Sequence, residues 1–222
     1  MPKELFPHAD WGKLWEATVE TLYMTSISVV ISFILGIILG LLLFLTAKGG
    51  FYENAYIYKF VATVVNVFRS IPFIILIILI IPFTIFLLNT MIGSKAAIPA
   101  LVIGSAPFYA RLVEIGLREV DKGVIEAAQS MGATKLQIIY KVLLPESMPA
   151  LISGITVTSI ALVSYTAMAG VVGGGGLGSL AFLEGYQRNH GDVTFLATVT
   201  ILIIVFFIQV VGDTATRVID KR

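Results

Sequence analysis

Charge is distributed so that long uncharged apolar runs alternate with polar connections. Residues 21–47 contain no Asp, Glu, Lys or Arg, and as a helix such a run is about 40 Å long against a hydrocarbon core of about 30 Å. Residues 70–94 form a second run with an apolar centre at 71–88, in which Pro72 and Pro82 start or kink the helix. The third run, 96–110, is short and spans only if the helix continues, with Arg111 and Glu114, one turn apart, snorkelling or pairing at the interface. Two more runs lie at about 150–172 and 193–212. A charge at the bilayer centre costs at least about 2.5–3.5 kcal/mol, so its absence over such lengths is informative. The pattern predicts an all-α polytopic membrane protein, one transmembrane domain over 1–222. Its five transmembrane helices fall at about 21–47, 62–88, 96–118, 150–172 and 193–212, and a long connection occupies about 119–149.

Composition agrees: 57% of the 222 residues are hydrophobic, 13% are charged and the mean hydropathy is +0.94, whereas a soluble domain carries about 25% charge. A net charge of +1 offers no nucleic-acid footprint. With no cysteine and only His8 and His190, neither a thiolate nucleophile nor a metal site is expected, and no cofactor is assigned to this chain. Glu4, Asp10, Glu16 and Glu20 precede an apolar run longer than a signal-peptide core, so the first span is expected to stay. Trp11 and Trp15, four apart, fit either a short helix at the headgroups or a packed tail.

Five spans place the termini on opposite sides. One side holds Lys48, Lys59, Arg69, Arg111, Arg118, Lys122, Lys135, Lys141, Arg217, Lys221 and Arg222; the other holds only Lys3, Lys13, Lys95 and Arg188. The positive-inside rule therefore puts the C-terminus and the connections at 48–69 and 111–146 in the cytoplasm, and the N-terminus outside.

The 111–149 stretch is richest in local signals. Asp121 can cap a helix over 122–131, with Glu126 inside it and Gly132 where a left-handed residue ends a helix. Thr134 and Gln137 form a capping-box pattern opening a second helix, with Leu136, Ile139, Val142 and Leu143 at amphipathic spacing and Pro145 as its stop. Two short helices at a sharp angle, presenting an apolar face to the cytoplasm, call for a protein partner. A well-capped connector lying on the bilayer is the plainer reading of the same residues.

At these residues the sequence resembles a family. Glu126-Ala127-Ala128, three residues, Gly132, nine residues and then Val142-Leu143-Leu144-Pro145 is similar to the EAA loop of ABC importer permeases, with Val142 at the usual Ile position. The resemblance continues through Phe68-Arg69-Ser70-Ile71-Pro72-Phe73, Ser105-Ala106-Pro107-Phe108 and the 170–178 stretch, and looks like the methionine (D/L-methionine) uptake type. It implies a type I ABC importer permease fold in the bacterial inner (plasma) membrane. It further implies a homodimer, a cytoplasmic ATP-binding cassette ATPase dimer and an extracytoplasmic substrate-binding (lipo)protein, importing an amino acid, methionine, by alternating access. The second short helix becomes the coupling helix, and the residues facing the ATPase are expected to be Glu126, Ala127, Ala128, Gly132, Thr134, Leu136, Ile139, Leu143 and Pro145. Ala127 and Ala128 permit close approach, Gly132 sets the turn, and Leu136, Ile139 and Leu143 supply an apolar docking face.

Other motifs carry less. Gly173-Gly174-Gly175-Gly176-Leu177-Gly178 formally matches G-x-G-x-x-G, but it follows a membrane helix rather than a strand, so it reads as a flexible external segment or a chain reversal. No G-x-x-x-x-G-K-[ST] occurs, which leaves ATP hydrolysis to another polypeptide, and no nucleophile elbow or H-E-x-x-H marks the chain as an enzyme. The fourth span carries Thr156, Thr158, Ser159, Ser164, Tyr165, Thr166 and Met168, whose roles divide between close helix packing and a translocation path; Tyr165 and Met168 are the path candidates. Gly36 and Gly40 form a G-x-x-x-G, expected to be a packing groove. Arg69 either snorkels or pairs with Glu114 or Asp213 to hold a gate. The competing class is an ion-coupled secondary transporter or channel, but such proteins place ionisable groups near the midplane, and here the acidic residues fall at span ends.

Overall fold

A computed structural model describes residues 6–220; Lys3, Glu4, Lys221 and Arg222 lie outside the described residues. Helix α1 runs Trp11–Thr46, opened by the Asp10 carboxylate, which accepts from the N–H groups of Gly12 and Lys13 at 3.0 and 3.2 Å. Trp11 and Trp15 are therefore the exposed first turns of one 36-residue helix and not a separate interfacial helix. No breaker stands between the cap and the apolar run, so the helix starts ten residues before the uncharged stretch at Thr21.

The expected second span is broken. Asn54 caps α2, Ala55–Ser70, and the chain then turns by 106° into α3, Phe73–Leu79. Ile71 is extended, as a residue before proline should be, and Pro72 cannot donate to the preceding turn. Helix α4, Ile81–Leu88, has Pro82 in its first turn. Among the described residues four helices are individually long and apolar enough to cross a membrane, and α2 with α3 makes a fifth crossing if the bent pair counts as one.

Helix α5, Ser94–Arg118, is the centre of the bundle, packed between α1 and the later helix Leu144–Val171. The short third run spans because its helix does continue through Arg111 and Glu114, with Pro99 and Pro107 inside it. Against it α1 turns a stripe of small buried residues, Ser28, Ser32, Gly36 and Gly40, and the Ser32 and Ser105 hydroxyls meet at 2.6 Å. The G-x-x-x-G groove is filled: a methyl carbon on Gly36 falls 2.4 Å from Tyr109 Cδ1, and one on Gly40 falls 2.6 Å from Val113 Cβ.

After α5 come α6, Lys122–Ser130, and α7, Lys135–Ile138, followed by a wide π turn over Ile139–Leu143 and α8, Leu144–Val171. Pro145 does not stop the second short helix. It sits in the first turn of α8, so 135–171 is one continuous helix whose last part is the fourth span. The Leu144 N–H reaches back five residues to the Ile139 carbonyl, which is how the helix passes the proline without ending. A short α9, Gly176–Ser179, a second π segment at Leu180–Gln187 and α10, Gly191–Ile219, complete the chain, with α10 packed on α8.

The glycine-rich stretch is a packed reversal between α8 and α9. Gly173, Gly175 and Gly176 have φ of 92°, 77° and 75°, and the Gly176 and Leu177 N–H groups donate to Glu20 Oε2 at 2.6 Å and Thr21 Oγ1 at 2.9 Å. At the same end Lys13 bonds Glu184 at 3.1 Å, Arg188 joins that carboxylate at 2.6 Å, and His8 bonds Asp192 while stacking on His190.

Candidate functional site

The connection at 119–149 sits at the other end of the bundle, and its two helices form by local rules. The Asp121 carboxylate accepts from the Gly123 N–H at 2.6 Å. Gly132, with φ of 81°, ends α6: its own N–H bonds the Gln129 carbonyl, and the Ala133 N–H bonds that of Ala128. Thr134 Oγ1 accepts from the Gln137 N–H at 3.3 Å while the Gln137 side chain accepts from the Thr134 N–H at 2.9 Å, a complete capping box.

The faces differ from the amphipathic expectation. Leu136 is 65% exposed, but Ile139 is half-buried and Leu143 is fully buried. The inward stripe is Ile138, Leu143, Ser147 and Leu151, whose first step is five residues because the π turn lies between. The outward apolar surface is instead Met131, Leu136 and Tyr140, 82%, 65% and 54% exposed. Sequence reasoning missed Met131 and Tyr140. Tyr140 stands one α-helical turn after Leu136, and Met131 precedes the left-handed Gly132, so both signals were available. Of the EAA residues, Glu126 and Ala127 are exposed and Ala128 is buried; Thr134 and Pro145 are exposed.

Behind this surface the connection is tied to the spans. Ala128, Ile138 and Leu143 share one core with Val113, Leu117 and Val120 of the α5 end and with Leu151 of α8. Lys135 Nζ donates to the Phe51 carbonyl at 2.6 Å and lies 4.8 Å from the Tyr52 ring centre, fastening α7 to the 47–54 connection. Tyr109, fully buried, donates its hydroxyl to the Leu151 carbonyl at 3.1 Å.

Glu114 is fully buried at the end of α5, and both of its oxygens are engaged. Arg111 donates to Oε2; Arg118 donates to Oε1 at 2.7 Å through Nη2, and the Tyr58 hydroxyl lies 3.5 Å from the same oxygen. Arg69 therefore has no claim on it, and Asp213 accepts from Gln209 at 2.7 Å. Among the described residues Arg69 forms no salt bridge; its guanidinium lies 5.9 Å from the Phe108 ring centre, a cation–π contact on an exposed side chain.

On α8, Thr156, Thr158 and Ser159 return their hydroxyls to carbonyls four residues back, and Thr166 to one three back, as packing residues do. Tyr165 is half-buried with its ring stacked on Phe73, centroids 4.6 Å apart, whereas Met168 is 43% exposed beside exposed Ser164.

Residues 32–222 match the family described as "Binding-protein-dependent transport system inner membrane component". The chain belongs to that family. This permease is 66% identical, over all of both chains, to the "Methionine import system permease protein MetP" of Bacillus subtilis (strain 168). It is 49% identical to the "Probable D-methionine transport system permease protein MetI" of Vibrio cholerae serotype O1, covering 94% of this chain and 93% of that one. Its fold superposes on a chain of the MetNI methionine ABC transporter in an inward-facing conformation with a TM-score of 0.92 at 45% identity, covering 94% of this permease and 97% of that chain. At 19% identity and a TM-score of 0.77, an amino acid ABC transporter shares the fold. The permease is thus a multi-pass inner-membrane transport component with the architecture of the MetNI permease.

Proposed function

We propose that this permease imports methionine as the membrane subunit of an ATP-driven transporter, two copies joining a cytoplasmic ATPase dimer and an external substrate-binding protein. The N-terminus lies outside and the 119–149 connection in the cytoplasm, the broken α2–α3 pair counting as the second of five spans; the basic-residue asymmetry supports this orientation. One observation carries the mechanism: a rigidly capped helix pair exposes Met131, Leu136 and Tyr140 on one side and is rooted in the spans through Ile138 and Leu143 on the other. The ATPase seats on that apolar tip, flanked by Glu126, Ala127 and Thr134. When nucleotide closes the ATPases, the tip moves with them. Because 135–171 is one helix and Leu143 packs against the α5 end, the displacement passes to two spans at once rather than being lost in a loop. Exposed Met168, with Tyr165 behind it, then forms part of the solute path on α8, and Arg69 marks the cytoplasmic mouth.

The test replaces Gly132 with Val, which strains a φ of 81° while its β-carbon has no atom within 4 Å, and Leu136 with Asp. Both variants are expected to keep the fold, to lose the ATPase on gentle purification and to lose methionine uptake in vesicles. ATPase recovery and uptake equal to the parent in both variants overturn the assignment.

A further inference from the structure

A cleft of about 430–540 Å³ in scale opens on each side of the α5 end, and the larger, 540 Å³, lies between the 47–51 connection, α5 and α6. Its walls are apolar, formed by Phe44, Phe51, Leu117 and Ile125, while Lys48, Arg118 and Lys122 line it as cations. Opposing them, Glu126 and Gln129 also line it. Three cations and one carboxylate thus line the cleft, and Arg118, with Arg111, pairs with Glu114. The nearby Glu53 carboxylate accepts from the Gly49 N–H at 2.9 Å and forms no salt bridge with a lysine among the described residues. Lys135 adds another ammonium where it bonds Phe51. The level is set by the chain itself: Lys48, which lines the cleft, is the first charge after the uncharged 21–47 run, so the cleft opens where hydrocarbon gives way to headgroups.

An apolar trough with a cationic lining at that depth has the polarity of a phospholipid. We infer that this cleft binds an anionic phospholipid, its phosphate between Lys48, Lys122 and Arg118 and the upper part of an acyl chain along Phe44, Leu117 and Ile125. Free phosphate leaves the apolar walls unused, and a zwitterionic lipid brings its own ammonium against the three cations. Since Ile125, Glu126 and Gln129 belong to α6 and Phe44 to α1, the lipid lies against the proposed coupling helices and bridges α1 and α6. The inference uses the proposed function only for the side of the membrane; the lipid site stands or falls by binding.

The experiment places the full permease in nanodiscs of phosphatidylcholine with a minor fraction of phosphatidylglycerol, exchanges it into detergent and counts retained lipid by native mass spectrometry, with ATPase recovery read in the same preparations. Phosphatidylglycerol is expected to be retained over phosphatidylcholine, and Lys48→Gln with Lys122→Gln to weaken that retention about thirtyfold, while millimolar inorganic phosphate leaves it unchanged. A third readout, acetylation of Lys48 and Lys122, is expected to be suppressed by phosphatidylglycerol in the permease free of its partner. Equal retention of the two lipids, retention unaffected by the double substitution, or displacement by inorganic phosphate overturns the inference. So does lysine protection that follows the ATPase and ignores the lipid, which makes the cleft a protein interface. Should the double variant misfold, the two-lipid comparison and lysine protection on the unaltered chain still decide. In the unaltered permease, no preference for phosphatidylglycerol with ATPase recovery intact rejects the lipid site and spares the coupling assignment; a preference for phosphatidylglycerol with no ATPase recovered rejects the coupling assignment alone.

Discussion

Gly40→Ala is the sharpest test of how α1 and α5 are joined. The added carbon would lie 2.6 Å from Val113 Cβ and Cγ1 and 2.7 Å from the Ala110 carbonyl oxygen, where carbon contacts relax to about 3.5–4.0 Å. The side-chain part of that overlap has some freedom, but the Ala110 oxygen belongs to a helix backbone, so the two helices must part by about 1 Å. Overpacking of this kind costs about 1–3 kcal/mol. For a chain of this size each kcal/mol lowers the melting midpoint by about 2–4 °C, so a fall of about 2–12 °C is expected in detergent. Gly191→Ala is the control, since nothing lies within 4 Å of a carbon added there, and it should be neutral. Adding Val113→Ala should restore less than half of the loss, because it leaves the backbone contact in place. A Gly40→Ala protein melting within about 1 °C of the parent, or full rescue by Val113→Ala, refutes the argument that backbone proximity makes this glycine necessary.

Three other outcomes are expected. Glu114→Ala strands two guanidinium groups beside a buried site, and the loss should approach about 3 kcal/mol, measured by thermal unfolding; Glu114→Gln, which keeps two polar atoms, should lose less, and equal losses count against a charge-based role. Glu20→Ala removes the acceptor of the Gly176 N–H and should speed amide exchange at Gly176 and Leu177 at least about tenfold, while leaving exchange at Gly132 unchanged. The Lys13 hydrogen bond, aided by the charges of Arg188 and Lys13, holds the Glu184 carboxyl below its ordinary value. This clasp is therefore complete above the ordinary glutamate pKa of about 4.3 and opens as pH falls through the lowered native value. Emission from Trp11 and Trp15, which flank Lys13, should report an opening midpoint that rises in Lys13→Gln, and an unmoved midpoint counts against the clasp.

What could be read without coordinates was whatever a few neighbouring residues decide. Asp121, Gly132 and the Thr134–Gln137 pair took the roles their spacing assigns, because caps and turns close over three or four residues. The uncharged runs fall on long apolar helices because desolvating a charge is costly wherever it occurs. The failures are tertiary. Counting from the first uncharged residue hid the ten residues by which α1 extends to Trp11, where Glu16 and Glu20 are carried beyond the apolar run and Glu20 is satisfied by a segment more than 150 positions away. Pro72 announced a break, but the 106° angle comes from how α3 packs on α5. Leu143 looked like part of the docking face because α-helical spacing was assumed through 139–143; the π turn rotates it inward, and only the core it enters accounts for that. Glu114 is legible as a partner for Arg111, and Arg118, four residues on along the same helix, was missed although its spacing signals it; only Tyr58 required the folded arrangement.

The wide turn at Ile139–Leu143 also makes this connection sensitive to insertions and deletions in a way that composition does not show. Each residue of an α-helix advances the chain by about 100°, so deleting one position there would swing Met131, Leu136 and Tyr140 through about that angle relative to the membrane helix they extend. Leu143 would leave its socket in the same step. Leu143 must stay apolar to fill its socket while exposed Lys141 is free to vary, but the number of residues is held by geometry at both ends.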